Sequence, residues 1–195
     1  MKKFISIKNR IDNFKNKQIH VNGDKSSSIR FVLLSSLSKG KCVAENILKS
    51  EDVLSAINCI KKLGVNVNLK GTKCEVKGKG LNGFSIKKKM VLNAGNSGTT
   101  ARLLFGILSN IKKEIKIAGD KSLSQRDMSR ITKPLKKFGV KFFGNHKKLP
   151  ITFKGTQKLK PIKYVENLGS AQCKSAIMFA ALKTKHKTKL KCKPS

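Results

Sequence analysis

The chain has 195 residues, with 44 Lys plus Arg against 10 Asp plus Glu, a formal charge of +34. Apolar residues make up 38% of it, enough to fill a core. This balance excludes an acidic solvating chain, and no run approaches the about 18 apolar residues of a membrane-spanning helix.

The first residues, Met1-Lys2-Lys3-Phe4-Ile5-Ser6, are basic with no apolar stretch behind them. A secretory leader is not expected, and the cytoplasm is the expected compartment. A strand is expected near 17–22, followed by a helix near 25–38 in which Ile29, Val32, Leu33 and Leu37 recur at helical spacing. Lys41 to Leu48 reads as a strand. Ser50 stands where an N-cap belongs, Glu51 and Asp52 fall in the first turn, and Gly64 closes that helix. Strands near 65–70 and 73–77 flank Gly71-Thr72. Further strands are expected near 86–92, 114–118, 140–143 and 150–154, with helices near 97–109 and 127–138. Pro134 falls inside the second of these helices and argues against its continuity. A strand near 161–166, a helix near 170–182 and a strand near 187–192 complete the α/β pattern.

The pattern repeats. Gly23, Gly95 and Gly169 each open a Gly/Ser/Thr-rich loop that runs into a helix. Asp52 to Val65 matches Asp127 to Val140, ending Leu63-Gly64-Val65 and Phe138-Gly139-Val140 respectively. Two separate elements repeating at nearly one offset define a real internal repeat. Each unit reads strand, helix, strand, helix, strand, strand. The third copy stops after its second strand. An edge strand and apolar helix faces are therefore expected to lie uncovered, and the chain reads as a fragment.

Five cysteines, Cys42, Cys59, Cys74, Cys173 and Cys192, are odd in number and lack C-x-x-C spacing. Reduced thiols are expected, with neither a disulfide framework nor a zinc site. His20, His146 and His186 are far apart, and Asp24, Glu45, Asp120 and Glu166 form no evident pair. The chain therefore reads as a set of anion receptors without complete proton-transfer machinery. Small residues ahead of each helix leave backbone N–H groups free to meet an anion, although ordinary N-capping uses the same residues. Lys25 and Arg30 add full charges to the first loop. Four of the five arginines, Arg30, Arg102, Arg126 and Arg130, lie in or just after these loops. In so lysine-rich a chain, that placement points to a need for the planar guanidinium fork. Gly95-x-x-Gly98-Thr99-Thr100 lacks the Gly-Lys-[Ser/Thr] ending of a nucleotide-binding P-loop. A basic nucleic-acid-binding protein is the alternative from another class, but the charge is dispersed, Trp is absent and Tyr164 is the single tyrosine.

Four segments carry a family resemblance: Gly23-Asp24-Lys25-Ser26-Ser27-Ser28-Ile29-Arg30, Leu92-Asn93-Ala94-Gly95-Asn96-Ser97-Gly98-Thr99-Thr100-Ala101-Arg102, Gly119-Asp120-Lys121-Ser122-Leu123-Ser124-Gln125-Arg126, and Ser170-Ala171-Gln172-Cys173-Lys174-Ser175-Ala176. In order and spacing the chain resembles the 5-enolpyruvylshikimate-3-phosphate synthase family, in its class II form. The resemblance implies an α/β lobe of repeated β-α-β-α-β-β units around a pseudo-threefold axis, an inside-out α/β barrel with its third unit incomplete. It implies that residues 1–20 supply a strand to a second lobe and that residues 21–195 form most of the first. It further implies transfer of the enolpyruvyl group of phosphoenolpyruvate to the 5-hydroxyl of shikimate 3-phosphate, with no metal or organic cofactor.

Carried over residue by residue, the resemblance makes Lys25 catalytic and in contact with both substrates. Ser26, Arg30, Ser170, Ala171 and Gln172 would hold shikimate 3-phosphate. Asn96, Gly98 and Arg126 would hold phosphoenolpyruvate, with Gln172 reaching it too, and Arg102 would be structural. Asp127 departs from the family, which commonly has Pro after the Arg; an acid there is expected to weaken the positive field of Arg126. The proton-transfer groups of the family belong to the second lobe, so residues 1–195 alone are not expected to turn over, and a second lobe is the required partner. A nonfunctional truncated gene product is a further alternative. The related UDP-N-acetylglucosamine enolpyruvyl transferases carry Lys-Asn in the first loop and a reactive Cys in the loop matching 119–128. Here the first loop has Lys25-Ser26 and the later loop has no Cys.

Overall fold

The computed structural model describes residues 18, 20–86 and 89–193. The first unit contains α1 (Lys25–Ser36), β1 (Lys39–Ala44), α2 (Glu51–Lys62), β2 (Asn66–Lys70) and β3 (Lys73–Lys79). Asp24 caps α1, its carboxylate accepting from Ser27 N at 2.7 Å. α2 has Glu51 and Asp52 in its first turn and Lys61 and Lys62 in its last, the order that the helix dipole favours. Ser50 takes the N-cap position without a side-chain cap bond.

The second unit contains β4 (Met90–Asn93), α3 (Gly98–Ile107), β5 (Glu114–Ala118), the short α4 (Lys121–Gln125), α5 (Ser129–Lys137), β6 (Lys141–Phe143) and β7 (Ile151–Lys154). The third contains β8 (Lys163–Glu166), α6 (Ala171–Ala181) and β9 (Lys189–Cys192). Three sheets follow one plan. The second, in order β4-β5-β7-β6, pairs β4 with β5 in parallel and the rest antiparallel. The first, β1-β3-β2, repeats the antiparallel part, and the third, β8-β9, repeats the parallel part.

The first helices of the units form the interior. α3 is buried on nearly every side, through Gly98, Thr100, Ala101 and Leu103 to Ile107. A helix apolar all round belongs at the centre of a domain, and α3 packs against α1, α2, α5 and α6. Its closest neighbour is α6. A Cβ placed on Gly106 would lie 2.2 Å from the Ala176 carbonyl oxygen, so the two helices cross backbone against backbone. At the far end Lys183 donates to the Ile107 carbonyl and to Asn110 Oδ1, capping α3 from the end of α6. Phe105 of α3 meets Phe153 of β7 edge-on at 5.1 Å, and Phe142 of β6 stacks on Phe153.

Pro134 sits inside α5 without breaking it. Proline has no N–H, so the carbonyl four residues back, that of Arg130, loses its helical donor. The thiol of Cys173 on α6 supplies the missing bond, at 3.2 Å. Burial pushes that thiol up to about 11, so it stays a protonated donor at neutral pH.

Several expectations shift. The strand near 17–22, and the assignment of residues 1–20 to a second lobe, fall largely outside the described residues. Among those described, Gln18 and residues 20–22 are not strand; Asn46 Nδ2 donates to the Val21 carbonyl in place of a ladder. The strand placed at 41–48 begins and ends earlier because the chain turns at Asn46, which has φ of 55°. The strand placed at 86–92 is shorter, Met90–Asn93, and α4 was not anticipated.

Gly106→Ala tests the central crossing. On helix propensity alone alanine stabilises by about 1 kcal/mol. Here the added methyl meets the α6 backbone, and overpacking of this kind costs about 1–3 kcal/mol. The urea midpoint is expected to fall; an unchanged or raised midpoint contradicts the crossing.

Candidate anion-binding site

The crossing of α3 and α6 brings their N-terminal ends together, and the loop around α4 joins them. Ser97 caps α3 by accepting from Thr100 N, and Ser170 caps α6 by accepting from Cys173 N. The buried carboxylate of Glu166 accepts from Leu168 N and Ser170 N, each at 3.0 Å, and so holds the loop ahead of α6. Gln172 bridges the helices. Its Oε1 accepts from Arg102 Nη1, and its Nε2 donates to Thr99 Oγ1 at 2.9 Å.

A second chain of bonds fixes the α4 loop. Asp120 caps α4 through Leu123 N at 2.7 Å, and its other oxygen accepts from Asn96 Nδ2 at 2.6 Å. Asn96 Oδ1 in turn accepts from Arg126 Nη2 at 3.1 Å. Gly98 lies between two guanidiniums. A Cβ there would sit 3.3 Å from Arg126 Nη1 and 3.5 Å from Arg102 Nη1. Asn96, Arg126 and Ala171 are exposed, so the cluster opens to solvent.

The charges are unbalanced. Burial, then Arg130 and Arg126, draw the Arg102 pKa below its ordinary value. The Nε atoms of Arg102 and Arg130 are buried with no hydrogen-bond partner among the described residues. Asp127 acts in the opposite sense, favouring the charged form of Arg102. Its carboxylate accepts from Ser129 N and Ser129 Oγ at the start of α5, and Ser129 with Arg130 and Lys133 holds it below the usual carboxylate range. Arg102 Nη2 meets only the Asp127 backbone carbonyl, at 3.4 Å. Three guanidiniums, two helix starts and one glycine thus form a receptor for an anion.

The expected residues divide into two groups. Asn96, Gly98, Arg126 and Gln172 come together, with Ser170 and Ala171 at the start of α6. Lys25, Ser26 and Arg30 stand on the first turns of α1. Lys25 Nζ pairs with Asp52 at 3.1 Å, and Arg30 Nη1 folds back onto the Ser26 carbonyl at 3.2 Å. The Lys25–Asp52 pair is half exposed and is worth little, so it yields easily to a bound anion. Thr99, Asp120 and Glu166 were not anticipated as site residues. One signal for Asp120 was available: Gly119-Asp120-Lys121-Ser122 repeats Gly23-Asp24-Lys25-Ser26, and both aspartates cap a helix in the same way.

Among the described residues no group of three His, Cys, Asp or Glu is placed to hold a metal, and no helix is long and apolar enough to cross a membrane. All five cysteines are free, and burial pushes Cys59 up to about 12, which leaves it inert as a nucleophile.

Fold and site together define an α/β lobe with arginines gathered at two helix N-termini. The family model for EPSP synthase (3-phosphoshikimate 1-carboxyvinyltransferase) matches residues 11–195, and the chain belongs to this family. It is 46% identical over 176 residues to the 3-phosphoshikimate 1-carboxyvinyltransferase of Caldicellulosiruptor saccharolyticus, covering 89% of this chain and 40% of that protein. It is 44% identical over 175 residues to that of Lactococcus lactis subsp. lactis, again covering 89% and 40%. It superposes on the EPSP synthase of Acinetobacter baumannii with a TM-score of 0.84 at 34% identity, over 91% of this chain and 40% of that one. The chain thus spans about 40% of the length of the relatives it matches. The match also decides against the UDP-N-acetylglucosamine family weighed on the first loop.

Leu123 N, Asn96 and Arg126 hold the Asp120 carboxyl below its ordinary value. A carboxylate depressed in the folded state stabilises fully above its unfolded pKa, about 3.9, and this is lost as pH falls below it. Urea midpoints measured from neutral pH into the acid range should drop more steeply for the unmodified chain than for Asp120→Asn, which keeps an N-cap but does not titrate. Parallel curves would remove Asp120 from the account.

Proposed function

We propose that this chain is the substrate-gripping lobe of a 3-phosphoshikimate 1-carboxyvinyltransferase. Residues 21–195 form most of that lobe. The reaction moves the enolpyruvyl group of phosphoenolpyruvate to the 5-hydroxyl of shikimate 3-phosphate. A proton adds to the methylene carbon, leaving a cationic centre at the adjacent carbon. The 5-hydroxyl oxygen adds there and gives up its proton. The tetrahedral adduct then loses phosphate and one methyl proton, which restores the double bond. The reading calls for no metal or organic cofactor.

The observation that carries it is the convergence of Arg102, Arg126 and Gln172 around Gly98, a glycine that leaves room for a compact anion beside two guanidiniums. In this reading Asn96, Gly98 and Arg126 hold phosphoenolpyruvate. Ser26, Arg30, Ser170, Ala171 and Gln172 hold shikimate 3-phosphate. Lys25 leaves Asp52 to reach both substrates. The positive field offsets the accumulated negative charge of two phosphorylated substrates and stabilises the departing phosphate. The proton carriers are another matter. The carboxylates near the cluster are engaged, Asp120 as the cap of α4 and Asp127 by Ser129, and both are held below the usual carboxylate range, so neither is free to donate. Proton transfer falls to groups of the second lobe, which is the partner this lobe requires.

Isothermal calorimetry with shikimate 3-phosphate is the test of binding. The chain should bind it, and Gln172→Ala should weaken binding about tenfold or more, as loss of a charge-assisted bond predicts. Phosphate release from both substrates should not exceed the buffer blank. Failure of shikimate 3-phosphate to bind refutes the substrate assignment. Phosphate release that disappears in Lys25→Ala refutes the dependence on a second lobe.

A further inference from the structure

The register of the first sheet gathers lysines that lie far apart in the sequence. β2 and β3 alternate: Val67, Cys74 and Val76 are buried against the interior, so the residues between them face outward. The outer face of β1-β3-β2 carries six lysines, Lys39 and Lys41 on β1, Lys70 on β2, and Lys73, Lys77 and Lys79 on β3, all exposed. They form three pairs that stand directly opposite across the ladder: Lys39 with Lys79, Lys41 with Lys77, and Lys70 with Lys73. Residues so placed have Cβ atoms about 4.5–5.5 Å apart, and like charges there repel. The other two sheets hold one such pair each, Lys141 with Lys154 and Lys163 with Lys189, and in the second sheet Glu114 also faces Lys154.

Acids answer two of the six. Glu75 lies 3.9 Å from Lys41 Nζ, and Glu45 lies 3.3 Å from Lys73 Nζ. Lys39, Lys70, Lys77 and Lys79 have no acidic partner among the described residues. Along β1 and β3 these lysines recur every second residue, about 6.8 Å apart. The face is therefore a short grid of point charges, not a single pocket. A phosphate backbone suits it, because each of its closely spaced anions can take one ammonium. The face has no aromatic ring on which the bases of a single strand could stack. Its one large exposed apolar side chain is Val43, too little for the buried centre of a protein interface or for insertion into a bilayer surface.

We propose that the outer face of β1-β3-β2 binds the phosphate backbone of a nucleic-acid duplex without regard to base sequence. The charge that is dispersed along the chain is concentrated here by strand register, and a polyanion relieves the repulsion that the three opposed pairs build in. None of these lysines belongs to the cluster at α3 and α6, so the proposal stands or falls independently of the substrates.

The full chain is titrated into labelled DNA duplexes of about 20 base pairs, in two unrelated sequences, between about 50 and 200 mM salt, and binding is followed by fluorescence anisotropy. Saturable binding of equal strength to both sequences is expected, with log K falling linearly with log salt. Each lysine that meets a phosphate contributes about 0.9 to that slope. Lys77→Gln with Lys79→Gln should therefore lower the slope by about 1.8 and weaken binding about tenfold at the lower salt. Lys39→Gln with Lys70→Gln, on the flanking strands, should do the same. Lys158→Gln with Lys160→Gln removes the same charge from the exposed connection between β7 and β8, and should leave slope and affinity unchanged. The face substitutions remove opposed like charges, so the urea midpoint should hold or rise, which separates lost binding from lost fold. Binding that the control pair weakens as much as the face pairs overturns the proposal, because it then belongs to the net charge and not to the face. So does the absence of saturable binding at about 50 mM salt. Tighter binding to the single strands overturns it too, as does tighter binding to phosphatidylglycerol vesicles, which would make the face a membrane surface.

Discussion

The contact on which the lobe depends is the crossing of α3 and α6 at Gly106 and Ala176. Helix axes that meet through side chains stay about 8–10 Å apart. Here the glycine removes the side chain, and the Ala176 carbonyl occupies the space a Cβ would need. That approach has a chemical consequence one and two turns away. It brings Gln172 within reach of both Arg102 and Thr99, so one carboxamide is fixed at both ends by α3. The site is precise because the packing below it leaves no freedom to slide. Lys183 locks the opposite end by donating to the last carbonyl of α3.

α5 is tied to the same pair of helices by a defect in its own backbone. Pro134 leaves the Arg130 carbonyl without a helical donor, and Cys173 fills that vacancy from α6. A bond that would have been local becomes tertiary. It sets the height of Arg130 relative to α6 and so places a third guanidinium close to Arg102. Burial keeps the thiol protonated, which the bond requires. A residue read from sequence as a helix breaker and a residue read as a bland buried thiol thus explain each other.

The repeat and the helix starts were legible because both depend on local chemistry: small polar residues before apolar stripes, and glycines recurring at a near-constant offset. The helix through Pro134 was not secure from sequence, because its compensation comes from a cysteine in the next unit. Nor was the Asn96–Asp120–Arg126 chain, whose bonds join loops 24 and 30 residues apart. Asp127 shows the limit most clearly: its charge is legible in the sequence, but not that its carboxylate accepts from the hydroxyl and backbone N–H of Ser129 at the start of α5. Family resemblance singled out Asn96, Gly98, Arg126 and Gln172 as substrate contacts; it said nothing of the hydrogen bonds that join them to Arg102, Thr99 and Asp120.

The use of arginine follows from the same geometry. The chain places lysine almost everywhere a positive charge is needed, yet the cluster at α3 and α6 is made of guanidiniums. Lys183 shows what burial does to an amine: its pKa falls to about 8. An amine at position 102 would face partial burial and two like charges, and both would draw its pKa down in the same direction. A guanidinium starts about two units higher or more, so the same penalties lower its pKa without neutralising it. It also spreads its donors over a plane, which lets Arg102 hold Gln172 and the Asp127 carbonyl at once. The cost is three like charges held close together, offset in part by Asp127, whose carboxylate favours the charged form of Arg102, and such an arrangement persists only where the surrounding packing fixes the groups. The close crossing of α3 and α6 supplies that fixing, since it leaves Gln172 bound to Arg102 through one atom of its carboxamide and to Thr99 through the other.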